Sequence, residues 1–162
     1  MVDSAKGRCK LRESIIKFLA TGFGSGYMPR APGTAGTLVG VAFFFIFSRL
    51  SWPVYLFLLI LITGAAVYIA AAAEDLFAAK DAPVIVIDEI TGFLWTMFYV
   101  PPSLAGLFIG FICFRFFDIV KPFPVRSLQD KLSGGYGIVG DDVMAGIYSN
   151  LALQVLMIFS VI

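Results

Sequence analysis

Histidine is absent from all 162 residues of the chain. That one absence excludes phosphohistidine chemistry, Ser-His-Asp triads and imidazole metal sites together. Cysteine is almost as scarce, with Cys9 and Cys113 alone, so neither a disulfide framework nor a thiolate metal site can be read. Cys113 lies in an apolar run and reads as a small packing residue; no Cys-x5-Arg loop follows it, and the chain has no Asp-x-Asp pair. Charged residues are only 14% of the chain and sum to +1, which provides no field or basic, aromatic-interleaved face for nucleic acid. Any catalysis must therefore use carboxylates, cations, hydroxyls, backbone amides or a metal ion.

What is abundant is apolar. Hydrophobic residues make up 59% of the chain and the mean hydropathy is +0.91, against roughly 45–50% apolar for ordinary soluble domains. The length suits one domain spanning 1–162, led by a basic segment at 1–14 in which Lys6, Arg8, Lys10 and Arg12 outnumber Asp3 and Glu13. No signal-peptide cleavage site follows it. The expected fold class is all-α: a compact helical membrane bundle of four to five apolar helices with a polar site on the cytoplasmic side.

Along the chain, "ATGFGSGYMPRAPGTAGT" at 20–37 reads as a loop, because glycine, proline and small hydroxylated residues interrupt a helix and leave free backbone N–H groups. Residues 38–50 are apolar but short. Residues 52–73 form the surest transmembrane segment, about 22 apolar residues against a hydrocarbon layer of ~30 Å. Two further segments, 90–100 and 103–114, flank the proline pair at 101–102, and a last apolar helix is expected over 143–162. With the basic N-terminus held inside, 38–50 with 52–73 and 90–100 with 103–114 form two out-and-back hairpins, and the polar motifs return to one face.

Those motifs carry the chemistry. Asp88 and Glu89 sit inside an apolar run, where ionised carboxylates require a cation. "RFFDIVKP" puts Arg115 and Asp118 three apart on one helical face, with Lys121 just before the proline. "GGYGIVGDD" sets Asp141 and Asp142 after a glycine turn, just before the last helix, where one Asp can serve as the cap. Five acids at one surface, Asp88, Glu89, Asp118, Asp141 and Asp142, repel one another, and Arg115 with Lys121 cannot neutralise them all. Some subset of the five is expected to hold a hard divalent ion, Mg2+ or similar, which completes its shell with substrate phosphate. Arg115, Lys121 and Arg30, with the "GFGSG" amides around Gly24 and Ser25, are the expected phosphate ligands. Arg49, Lys80, Asp81 and Lys131 read as snorkelling or solvated charges.

Four ordered blocks, "GFGSGYMPRAPGTAGT", "IDEITG", "RFFDIVKPFPVRSLQD" and "GGYGIVGDDVMAG", resemble the phosphatidylglycerophosphatase A family over about residues 15–155. The resemblance implies an integral membrane enzyme of the bacterial inner membrane, multi-pass with its site toward the cytoplasm. It also implies a Mg2+-dependent phosphoric monoester hydrolase that converts phosphatidylglycerol phosphate to phosphatidylglycerol and phosphate. By motif, Asp88 and Glu89, then Arg115, Asp118 and Lys121, then Asp141 and Asp142 match the family's blocks. The roles stay open: any of the acids can be ligand, base or nucleophile, and a carboxylate or a metal-bound hydroxide can direct the water. Two rivals remain, a noncatalytic lipid-binding subunit and a small cation transporter.

Overall fold

The computed structural model describes the backbone of residues 2–123 and 132–159 and, within that, side chains from residue 10 onward. Among them are six α-helices, one short 3-10 turn and no strand: α1 (Val2–Ala20), α2 (Pro32–Phe47), α3 (Trp52–Phe77), α4 (Ile87–Thr96), α5 (Leu104–Val120) and α6 (Gly135–Ile158). The expected all-α class holds. One helix, Trp52–Phe77, is long and apolar enough to cross a membrane; Pro32–Phe47 is apolar but shorter. These lengths do not by themselves establish the expected membrane bundle of four to five apolar helices.

Several boundaries shift from the sequence reading. The glycine-rich loop ends at Ala31, because Pro32 occupies the first helical position, where its missing N–H is no loss. The basic lead is helical throughout α1. Helix α4 stops at Thr96 rather than running to residue 100, since Tyr99 turns into positive φ ahead of the two prolines. The last helix starts at Gly135, eight residues earlier than the apolar run alone suggests.

Helix α4 is the hub. It packs most extensively on α6, then on α2 and α3, with α5 beside it. Phe93 and Leu94 of α4 and Met97 at its C-cap are fully enclosed with Phe44, Leu59, Phe114 and Leu153 in one apolar core. The first expected hairpin is opened by α4, its partners α2 and α3 meeting near their connecting turn through Phe47 and Tyr55, rings 5.0 Å apart, whereas α4 and α5 of the second do pack together. In a core this apolar, each buried polar group needs a partner. Tyr55 donates to the Leu94 carbonyl at 2.8 Å, Trp95 Nε1 donates to Thr63 Oγ1 at 3.0 Å, and Asn150 Nδ2 donates to the Thr96 and Phe98 carbonyls at 2.9 and 2.6 Å. The last pair closes the C-terminal end of α4 from α6.

The α4–α6 crossing is a backbone contact. A Cβ on Gly92 would sit 2.7 Å from the Asp142 carbonyl oxygen and from the Phe114 ring, and one on Gly146 would strike the Gly92 carbonyl. Outward, α3 and α5 carry large apolar side chains along one face each, among them Phe57, Ile60 and Leu61, and Phe108, Ile112, Phe116 and Ile119. Leu151, Val155 and Ile158 continue that surface on α6.

Because α4 and α6 touch through main chain, Gly146→Ala should destabilise the fold by about 2 kcal/mol, the usual size of core overpacking. Thermal unfolding of the purified protein reads this directly. Gly64→Ala, at a glycine with open space around it, serves as the control and should leave the midpoint unchanged or slightly raised.

Candidate functional site

The N-terminal ends of α2, α4 and α6 and the C-terminal end of α5 surround one polar cavity of about 470 Å³. Its walls include Arg30, Pro32, Gly33, Thr34, Asp81, Asp88, Glu89, Arg115, Asp118, Lys121, Asp141 and Asp142. All five acids singled out from the sequence thus share a single chamber, although 54 residues separate the first from the last.

Each arrives by a local rule. Asp88 and Glu89 occupy the first turn of α4, where the helix dipole favours negative charge. Arg115 and Asp118 lie one turn apart on α5, with Nη1 of one 2.9 Å from Oδ2 of the other. Helix α5 then ends, and Lys121 takes a left-handed cap conformation (φ 45°) that sends it toward Asp141, Nζ to Oδ2 2.5 Å. Asp141 and Asp142 are the seventh and eighth residues of α6, not its cap; the cap is Gly134, at φ 62°.

The acids divide into two groups. Asp141 has both oxygens engaged, one by Lys121 and one by the backbone N–H of Asp142 at 3.0 Å, while Asp118 faces Arg115. By contrast, Asp88, Glu89 and Asp142 each offer a carboxylate oxygen within 4.8 Å of the others. Asp88 Oδ1, Glu89 Oε2 and Asp142 Oδ2 are buried without a hydrogen-bond donor. On the cation side, Arg115 Nη1 is near Asp118 but not aimed along a hydrogen bond, and it too is buried without an acceptor. Three orphaned hard oxygens fit a hard divalent cation, and an orphaned guanidinium N–H fits an anion beside it.

Burial raises the buried carboxyls of both groups, Asp141 included despite its Lys121 partner. Burial pushes the Asp88 carboxyl well above the usual range, and the neighbouring Glu89 charge adds to it. Burial likewise raises Asp142 strongly, with the Asp118, Glu89 and Asp141 charges behind it. Glu89 is raised by burial, though the Asp88 hydrogen bond and the Arg115 charge pull it back. For Lys121 burial works downward, but the Asp141 hydrogen bond and the surrounding acids outweigh it and the ammonium is held charged.

The glycine loop behaves differently from expectation. Gly24 and Ser25 do not line the cavity, and the backbone N–H groups of residues 22–26 all donate within the turn, to Leu19, Phe18, Thr21, Gly22 and Thr21 respectively. No amide of that stretch is left for a phosphate. The free donors lie ten residues on. Gly33 and Thr34 begin α2, where first-turn amides have no intrahelical acceptor, and both line the cavity. The "PRAPGT" proline at the first helical position was the signal for this. Asp81, read as a solvated charge, also belongs to the wall; Lys131 lies outside the described residues.

Gly33 touches the acids so closely that a Cβ there would strike Glu89 Oε1 and lie 3.2 Å from the Arg115 guanidinium. Gly33→Ala should therefore keep the fold, with a melting shift of only a few degrees, yet lose at least about tenfold in divalent-ion affinity, as disturbed ligand support does; titration calorimetry reads the affinity and thermal unfolding reads the fold. A second prediction follows from the raised carboxyls. Their folded pKa values lie above the unfolded values of about 4, so the ion-free protein is most stable below that pH and loses stability as pH rises through the folded values. With chelator, the unfolding midpoint should fall between pH 5 and pH 8; with excess divalent ion the fall at pH 8 should be restored, because the ion replaces the protons.

The family model described as phosphatidylglycerophosphatase A matches residues 18–157. A protein of that name from Escherichia coli is 34% identical over 91% of this chain and 86% of its own length. One from Haemophilus influenzae is 38% identical over 83% of each chain. A putative phosphatidylinositol-3-phosphatase from Bacteroides thetaiotaomicron is 37% identical over 85% of this chain and 90% of its own. No solved structure matches. The matched residues include every helix that builds the cavity, and a chain so covered belongs to the phosphatidylglycerophosphatase A family.

Proposed function

We propose that this chain is a Mg2+-dependent phosphatidylglycerophosphatase that hydrolyses phosphatidylglycerol phosphate to phosphatidylglycerol and inorganic phosphate at a bacterial inner membrane. One observation carries the reading: three buried carboxylate oxygens without donors stand in the same chamber as a buried guanidinium N–H without an acceptor. A site for a cation beside a site for an anion is the arrangement that metal-assisted phosphoryl transfer needs.

Asp88, Glu89 and Asp142 would hold the ion, and a set of hard oxygen ligands without nitrogen or sulfur suits Mg2+. Bound there, Mg2+ would supply Lewis-acid neutralisation of the phosphoryl oxygens. The Gly33 and Thr34 amides, Arg115 Nη1 and Lys121 would receive the remaining phosphate oxygens. Asp118 and Asp141 are the acids left to orient a water in line with the leaving oxygen. The water oxygen bonds phosphorus as it gives up its proton to a carboxylate, the bond from phosphorus to the glycerol oxygen breaks, and that oxygen leaves as the alcohol after protonation.

The lipid setting rests on the outward faces. Exposed Phe, Ile and Leu along α3, α5 and α6 suit acyl chains better than water, and α3 has the length to span. The shorter helices would sit in the bilayer by packing around it. The basic N-terminal helix favours a cytoplasmic placement for the end of the bundle that holds the site. A transporter would need its acids at mid-membrane depth rather than at helix ends facing one chamber.

The test is phosphate release from phosphatidylglycerol phosphate in mixed micelles. Asp88→Asn, Glu89→Gln and Asp142→Asn should each lose at least about a hundredfold, since several kcal/mol of charge stabilisation departs with the ion. Chelation of the unaltered protein should match them. Full turnover in all three variants, or indifference to chelator, sinks this reading.

A further inference from the structure

The three cations on the cavity wall are not equivalent. Arg115 and Lys121 are held at the chamber's acids, by Asp118 at 2.9 Å and Asp141 at 2.5 Å. Arg30 is exposed, sits just before the N-terminus of α2, and has no acid within ion-pair distance among the described residues. Arg30 lines the same chamber without an ion pair to the chamber's acids. A cation held apart from the buried ones, at the solvent edge of an anion-receiving cavity, is placed for a second, outer negative group.

We propose that Arg30 is a specificity-determining residue that binds a second phosphate, the phosphodiester joining the phosphorylated headgroup to diacylglycerol. The inference rests on the phosphatase reading above. In that substrate class the scissile monoester and the diester are separated by one polyol. The monoester goes inward to the acids and the diester lies outward toward the lipid, where only an edge cation can meet it. Arginine suits this because its planar fork donates to two phosphate oxygens at once. The consequence is discrimination: a lipid whose monoester sits directly on diacylglycerol offers Arg30 nothing, whereas any headgroup carrying a monoester beyond a diester engages it.

Two measurements test it on the full chain. In mixed micelles, Arg30→Gln should raise KM for phosphatidylglycerol phosphate about tenfold with kcat nearly unchanged, the size expected for one charged hydrogen-bond pair at a solvated edge. It should leave kcat/KM for phosphatidate unaltered, and Arg30→Lys should recover part of the loss. Equal loss on both lipids would put Arg30 on the monoester, and no loss on either would make it a surface residue; both outcomes overturn the proposal. Binding separates this from failure of the phosphatase reading. Propane-1,3-diol bearing a monoester phosphate at one end and a methyl phosphodiester at the other should bind the unaltered protein about tenfold tighter than propyl phosphate, by calorimetry with Mg2+ present. That preference should vanish in Arg30→Gln. If the two ligands bind the unaltered protein equally, the proposal is wrong even where hydrolysis is robust. A preserved preference without phosphate release refutes the hydrolysis instead.

Discussion

Everything at the site depends on how closely α4 can approach α6. Gly92 and Gly146 let the two backbones touch, and no side chain could intervene without pushing the helices apart. At that separation, the first turn of α4 and the second turn of α6 bring Asp88 and Glu89 against Asp142. The rest of the core locks the crossing from its far end. Asn150 of α6 takes the loose carbonyls at the end of α4, and Tyr55 and Trp95 tie α4 to α3. Polar bonds in an apolar interior have few alternatives, so they fix helix rotation as well as distance.

That placement is electrostatically unfavourable by itself. Two of the five acids have their own cations, and the first-turn position of Asp88 and Glu89 gains from the α4 dipole. Asp142, deeper in its helix, has neither advantage, and its carboxyl is among the most strongly raised. Burying like charges together costs stability that a purely structural core would avoid by using apolar residues. Retaining them is the pattern of a site whose ligand supplies the compensating charge, and where a local rule is broken function is the usual reason.

Much of this was legible in the primary structure because it depends on short-range spacing. Arg115 and Asp118 pair at one helical turn and Lys121 follows at the helix end, as the spacing and Pro122 required. That α3 is long and apolar enough to span also follows from its apolar length. Apolar content does not fix which helices are long enough to span, and glycine content does not mean free amides. The "GFGSG" amides are satisfied inside their own turn, so Gly24 and Ser25 bring no donors to the cavity. Gly135, read as part of a turn, opens a helix, and a Cβ there would strike the backbone of α3, so it is a contact residue. Asp81 looked like a solvated charge because nothing nearby in sequence reveals that its loop folds over the acids.

The sequence by itself determined the class of chemistry. Without histidine and with hardly any cysteine, imidazole and thiolate chemistry is excluded and carboxylates, arginines, lysines and hydroxyls remain, since donor type is a property of side chains and survives any fold. Only the tertiary structure decided which acids stand together without donors, which are paired off, and that the free amides belong to the start of α2. Those outcomes depend on the rotation and closest approach of helices far apart in the chain, set by main-chain contact at a few glycines that no local pattern specifies.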